Sequence, residues 1–192
     1  MTADSISVYP LTADRWDDLE RLFGPRGACG GCWCMYWRLG HAIYEAQLGE
    51  TNRLHLQMIT ASGEEPGLLA YAGDQPVGWC ALAPRTTYLR LAKSRILKPV
   101  DDQSVWSVVC FFVARTHRRQ GVTARLLQAA IDYARQQGAH ILEAYPVEPK
   151  DANAPAPFIF PGVASTFRQA GFVEVARRSP TRPIMRYRIN PQ

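Results

Sequence analysis

Apolar residues along this chain repeat with two periods, and the changes between them mark out the elements. Residues 108–113 (VVCFFV) form an unbroken apolar run rich in β-branched and aromatic side chains, the pattern of a strand buried on both faces. The polar stretch ARTHRRQG follows. From there Val122, Leu126, Leu127, Ala130, Ile131 and Ala134 fall on one helical stripe, with Gly138 positioned as a left-handed C-cap. The centre of the chain therefore predicts strand, basic loop, helix.

The flanks predict further elements. Residues 6–9 read as a first strand, and Thr12 as the cap of an amphipathic helix carrying Arg15, Trp16, Leu19 and Phe23. Residues 52–61 read as a second helix with Leu54, Met58 and Ala61 on one face. Residues 67–71 and 76–83 read as a hairpin turning at Gly73-Asp74-Gln75. Residues 84–102 predict a connection with a short helix (Leu89, Ala92 and Ile96 inward), a solvated basic face and a lid over the site. Residues 140–147 read as another strand, and residues 164–175 as a helix, a Gly-Phe pair and a strand.

The chemistry sits at the central loop. A helix start leaves backbone N–H groups without intrahelical partners and carries partial positive charge, which attracts phosphate. Arg118 and Arg119 add charge, and Gly121, lacking a Cβ, lets a ligand approach the main chain. The sequence has neither the G-x-G-x-x-G of a dinucleotide site nor the G-K-[ST] of a P-loop. Arg118-Arg119-Gln120-Gly121-Val122-Thr123, preceded by a strand ending in Val113, resembles the R/Q-x-x-G-x-G/A signature of the GNAT superfamily of acyl-CoA-dependent N-acetyltransferases. Thr123 stands where that family usually has Gly or Ala and offers a hydroxyl to a phosphate oxygen instead. The order of elements from 105 to 176 resembles the family's C-terminal half.

The resemblance implies an α/β (α+β) single domain over residues 1–192, with a mixed, mostly antiparallel central sheet of about seven strands flanked by helices. It implies acetyl-CoA as co-substrate, held by the loop Arg118, Arg119, Gln120, Gly121, Val122 and Thr123 and by the main chain of Phe111, Phe112 and Val113. It also implies direct attack on the thioester by a primary amine of a small molecule or peptide. The segment after the first helix, residues 24–40, commonly borders the acceptor site in this family, which makes Trp33, Tyr36 and Trp37 candidate pocket residues; packing in the core is the equal alternative.

Two residues the family often uses are replaced. Ser107 occupies the position of a strand Glu, and Phe167 that of a Tyr four residues before the Gly-Phe glycine. Tyr145 is then the first candidate acid for the departing thiolate and Glu143, two residues earlier on the same strand face, a candidate base, with Ser165 or Thr166 as further candidates. Cys110 within an apolar strand is expected to be an inert thiol.

Composition changes the picture little. The 192 residues are 47% hydrophobic and 20% charged, and 22 Lys+Arg against 17 Asp+Glu give +5, which suits an anionic ligand without arguing for nucleic acid. Five cysteines and no secretory signal argue against a disulfide framework, and Cys29, Cys32 and Cys34 read as reduced thiols in an aromatic loop, with no metal expected. No apolar run approaches a membrane span, so the expectation is a cytoplasmic protein with no membrane or nucleic-acid partner and with a homodimer allowed. A non-catalytic acyl-CoA-binding sensor or assembly module is the alternative function.

Overall fold

The computed structural model describes residues 6–149 and 159–189. The central apolar run becomes β4 (Trp106–Val113), the basic loop ends at Gly121, and the helical stripe becomes α5 (Val122–Gln136), followed by Gly138 with a positive φ as expected. Around this unit the other strands are β1 (Ile6–Pro10), β2 (Gly67–Ala72), β3 (Gln75–Pro84), β5 (Ile141–Ala144), β6 (Val173–Arg177) and β7 (Pro183–Arg188). They form one seven-stranded sheet in the order β1-β2-β3-β4-β5-β7-β6. Every pairing is antiparallel except β4 with β5.

Each face of the sheet carries its own core. On one face the apolar stripe of α5 packs with Phe167 of α6 (Ala164–Gln169) over Val77, Cys80, Val108 and Phe111. Gly78 allows the helix to lie this close, because a Cβ there would meet Val122 Cγ1 at 2.8 Å. The other face is covered by α1 (Trp16–Phe23), Leu56 of α3 (Glu50–Ala61), Leu91 of α4 (Leu89–Lys93) and the aromatic loop that precedes α2 (His41–Ala46).

Several expectations are corrected by this packing. Thr12 does not cap a helix: its hydroxyl accepts a hydrogen bond from Arg15 Nη1 at 2.7 Å, and a short 3-10 turn precedes α1. In α3 the inward face is Asn52, Leu56 and Thr60, while Leu54 and Met58 are exposed. Inside, Thr60 Oγ1 donates to the Leu56 carbonyl at 3.0 Å and Asn52 Nδ2 to the Gly31 carbonyl at 3.4 Å, while Asn52 Oδ1 is buried without a partner. Leu91 and Leu97, not Leu89, Ala92 and Ile96, anchor the connection from β3 to β4. The expected strand at 140–147 pairs in the sheet only from Ile141 to Ala144. β7 is an addition, unmarked in the sequence because Arg186 and Arg188 break its apolar alternation.

Arg186 enters the interior to meet Glu143, which is 1% exposed. Glu143 Oε2 accepts from Arg186 Nε at 2.7 Å, and Oε1 accepts from Arg85 Nη1 at 2.9 Å and from the Tyr145 hydroxyl at 2.5 Å. Tyr145 also bonds Ser107 Oγ at 2.9 Å, and Arg186 Nη1 reaches outward to Asp101 at 2.7 Å. Two guanidiniums and one carboxylate, removed from water, are tolerable only because every charge is partnered. Replacing Glu143 by Gln leaves both arginines without their buried anion, and we expect a loss of roughly 3 kcal/mol or more, read as a lower urea midpoint at unchanged slope.

Candidate functional site

The parallel ladder between β4 and β5 is short. Pairing runs from Trp106↔Leu142 to Val108↔Ala144 and stops. Beyond it the chain after β5 turns away, with Val147 bridging to Val163, while β4 continues to Val113 against β3 alone. The two strands thus part like a fork. Residues 159–163 lie beside the opening, where the Phe111 N–H donates to the Phe160 carbonyl at 2.7 Å.

A cleft of about 760 Å³ opens along this fork. Arg118, Arg119 and Thr123 line it at the start of α5, Phe111, Phe112 and Val113 along β4, and Tyr36, Trp37 and Tyr44 together with Cys29, Cys32, Cys34 and Cys110 elsewhere on its wall. Gly121, at the N-cap of α5, has φ 80° and ψ 0°, a left-handed conformation that glycine adopts without strain. Arg119, a non-glycine, is also left-handed at φ 61°. The loop is drawn tight by Arg118 Nε, which donates to the Val113 carbonyl at 3.1 Å, and by Gln120 Nε2, which donates to the Thr116 carbonyl at 2.9 Å.

The aromatic part of the wall is braced from outside. The Arg90 guanidinium lies 3.9 Å from the Tyr36 ring centre, and its Nη1 donates to the Tyr36 carbonyl at 3.3 Å. Residues 84–102 therefore buttress the cleft wall; none of them lines it, contrary to the expected lid. Arg85, expected on a solvated face, is instead committed to buried Glu143.

Other expected site residues sit elsewhere. Tyr145 and Glu143 are buried and do not line the cleft, because the ion network on β5 holds both; burial together with the Glu143 charge pushes the Tyr145 phenol well above its ordinary range. Ser165 is exposed and off the cleft, whereas its neighbour Thr166 lines it. Trp33 is buried, stacked on Trp16 with ring centres 6.2 Å apart, and belongs to the core. Val122 turns its side chain into the core, and Gln120 is exposed beside its own loop.

Four of the thiols, Cys29, Cys32, Cys34 and Cys110, border the cleft. All five cysteines are free, and among the described residues no group of three or more Cys, His, Asp or Glu could hold a metal ion. Burial pushes the Cys32 thiol up to about 12 and the Cys80 and Cys110 thiols well above their ordinary value; for Cys110 its hydrogen bond to Cys34 is the larger cause. Cys34 goes the other way. A hydrogen bond from Cys110, another from Trp79 and the Arg38 charge hold its thiol below the ordinary value against the opposing effect of burial. The C-x-x-C-x-C run was the available signal, but spacing alone could not single out one sulfur.

Residues 33–156 match the family described as acetyltransferase (GNAT). No curated protein matches the chain. Among solved structures, it is similar to an N-acetyltransferase from Staphylococcus aureus Mu50 (TM-score 0.56, 11% identity, covering 96% of this chain and 99% of that one). It is also similar to the PaiA N-acetyltransferase from Thermoplasma acidophilum in complex with coenzyme A (TM-score 0.52, 14% identity, 96% and 99%). A third is YncA from Salmonella typhimurium with its cofactor acetyl-CoA (TM-score 0.52, 11% identity, 98% and 96%). At these identities the likeness is one of fold. No described helix is long and apolar enough to cross a membrane.

The thiol environments make a direct prediction. Cys80, fully buried with its thiol pushed up, will resist iodoacetamide in the folded protein and react only in denaturant, whereas exposed Cys29 will be modified without it. Peptide mapping by mass spectrometry checks both.

Proposed function

Because the chain belongs to the acetyltransferase (GNAT) family, we propose that it transfers an acetyl group from acetyl-CoA to a primary amine of a small molecule or peptide, by direct attack within a ternary complex. The observation that carries this reading is a cleft that is cationic at the start of a 15-residue helix and aromatic on the wall that Tyr36, Trp37 and Tyr44 build.

The residues at the cationic end fit a diphosphate. The first N–H groups of α5 have no intrahelical acceptors, the helix dipole adds partial positive charge, and Arg118 and Arg119 supply full charges beside them. Left-handed Gly121 keeps a side chain out of the approach, and Thr123 offers a hydroxyl in the same wall. Gln120 and Val122 contribute main-chain groups only, since their side chains are engaged elsewhere.

Acetyl-CoA, when bound, supplies an acyl carbon already activated as a thioester. The protein's part is to hold that carbon and the amine within one enclosure, which makes a bimolecular step effectively unimolecular. Phe112 and Val113 border the opening along the unpaired side of β4. The Phe111 main chain is a weaker candidate donor, since its N–H is bonded to the Phe160 carbonyl. Tyr36 and Trp37, with Tyr44 added, provide the apolar surface expected of an acceptor pocket.

The second reading, a non-catalytic acyl-CoA-binding module, is favoured by one observation. Among the described residues no carboxylate and no histidine lines the cleft.

Calorimetric titration is expected to show acetyl-CoA binding on the order of micromolar Kd. Gly121→Glu should abolish it by placing bulk and negative charge at the helix start, while Gly121→Ala, which carries the backbone strain without the charge, should retain it. Unchanged affinity in Gly121→Glu would remove the basis of the assignment. Thiol release in the presence of a panel of primary amines then separates the two readings: turnover with any of them marks an enzyme, and binding without turnover supports the module.

A further inference from the structure

The cleft lies at the Val113 end of β4, and a second cavity of about 370 Å³ opens at the other end, beside Trp106; the two share no lining residue. Its volume is at the small end of the roughly 300–1,000 Å³ range of small-molecule sites. Gly63, left-handed at φ 89°, turns the chain after α3 and delivers Glu64 and Glu65 to the cavity just before β2. Pro84 ends β3 opposite Trp106, the first residue of β4, and Tyr133 reaches the same place from α5. The Trp106 and Tyr133 rings meet edge to face with centres 5.9 Å apart, which gives the cavity an apolar wall.

Arg38 lines this cavity too, although it is only 7% exposed. Its guanidinium lies 5.3 Å from the Tyr88 ring centre, a contact that attracts the charge, but its Nη2 is shut from water and has no hydrogen-bond partner among the described residues. Glu65 is engaged elsewhere, its Oε2 accepting from the Tyr133 hydroxyl at 2.5 Å, and Glu64 is exposed at the rim. A buried guanidinium without an anion is costly. A carboxylate entering the cavity supplies that anion, yet Glu64 and Glu65 repel a ligand that is anionic throughout. A small ligand that carries an ammonium group as well as a carboxylate meets both demands.

We propose that this cavity is a second binding site, for a free amino acid with an aromatic side chain. The carboxylate meets the Arg38 guanidinium in a charge-assisted contact, the ammonium group faces Glu64 and Glu65, and the ring packs on Trp106 and Tyr133. The proposal stands apart from acetyl transfer, since the occupant lies outside the cleft and undergoes no reaction. The two sites are nonetheless adjacent along the chain: Arg38 follows Trp37, which lines the cleft. An occupant held by Arg38 therefore fixes the backbone one residue from the aromatic wall.

The test is calorimetric titration of the full-length protein with L-phenylalanine, without acetyl-CoA. Binding with a Kd below about 1 mM is expected. Removing either charge from the ligand, as in 2-phenylethylamine and 3-phenylpropionate, should weaken it about tenfold or more. Arg38→Gln and the double variant Glu64→Gln/Glu65→Gln should each weaken L-phenylalanine to the same degree, whereas Tyr36→Ala, in the cleft, should leave its affinity within about twofold of wild type. Should Arg38→Gln fail to fold, the acidic double variant decides, because Glu64 is exposed and a glutamine amide still accepts from Tyr133. No binding of L-phenylalanine, equal binding of either analogue, or binding that survives in the cavity variants overturns the proposal. So does binding lost only in Tyr36→Ala, which would put the amino acid in the cleft. Failure of acetyl-CoA to bind would sink the acetyl-transfer reading and leave this result untouched.

Discussion

The structure depends on a parallel pairing that is short by design of its surroundings. Three residue pairs join β4 to β5, and the ladder ends where Ala144 gives way to Tyr145. Below that point Glu143 grips Arg85 from the connection before β4 and Arg186 from β7, so the strands cannot separate there without exposing buried charge. Above it nothing in the ladder holds them together. The cleft exists because one end of this pair is locked and the other is not, and α5 starts at the unlocked end because β4 runs straight into the basic loop.

Electrostatics divides the cleft as clearly as topology locates it. Positive charge gathers at the start of α5, where backbone donors, two arginines and a left-handed glycine coincide. Away from it the wall is aromatic and sulfur-rich, braced by the Arg90 cation against Tyr36. The cationic region suits an anion and the aromatic region an apolar group, an asymmetry that agrees with the proposed acyl transfer.

The strand–loop–helix core was legible because its signals are local: the apolar run, the stripe from Val122 to Ala134 and Gly138 lie in one stretch of chain and need no knowledge of partners. The turn at Gly121 and the place of Arg118 and Thr123 at the helix start were legible for the same reason. What could not be read depended on distant neighbours. Arg186 looks like a surface charge until Glu143 is found opposite it, so β7 went unseen. Tyr145 carries the alternation of a cleft-facing strand residue, yet the arginines that bind its partner hold it in the interior. Leu54 and Met58 look like the core face of α3 until the amide of Asn52 and the hydroxyl of Thr60 are seen to find backbone carbonyls inside. Cys34 is set apart from Cys32 by the indole N–H of Trp79, which is remote in sequence.

The walls of the cleft and its frame come from different parts of the chain. Strands and the buried ion network form the frame, whereas much of the wall belongs to two irregular segments, residues 28–37 and 159–163. Substitutions at the cleft-facing positions of those segments alter the shape of the cleft without touching the ladder or Glu143. Residues 159–163 and the cleft-facing positions of 28–37 can therefore vary while the sheet is kept, whereas Trp33, Met35 and Trp37 in the same loop are tied to the core and to the stability of the fold.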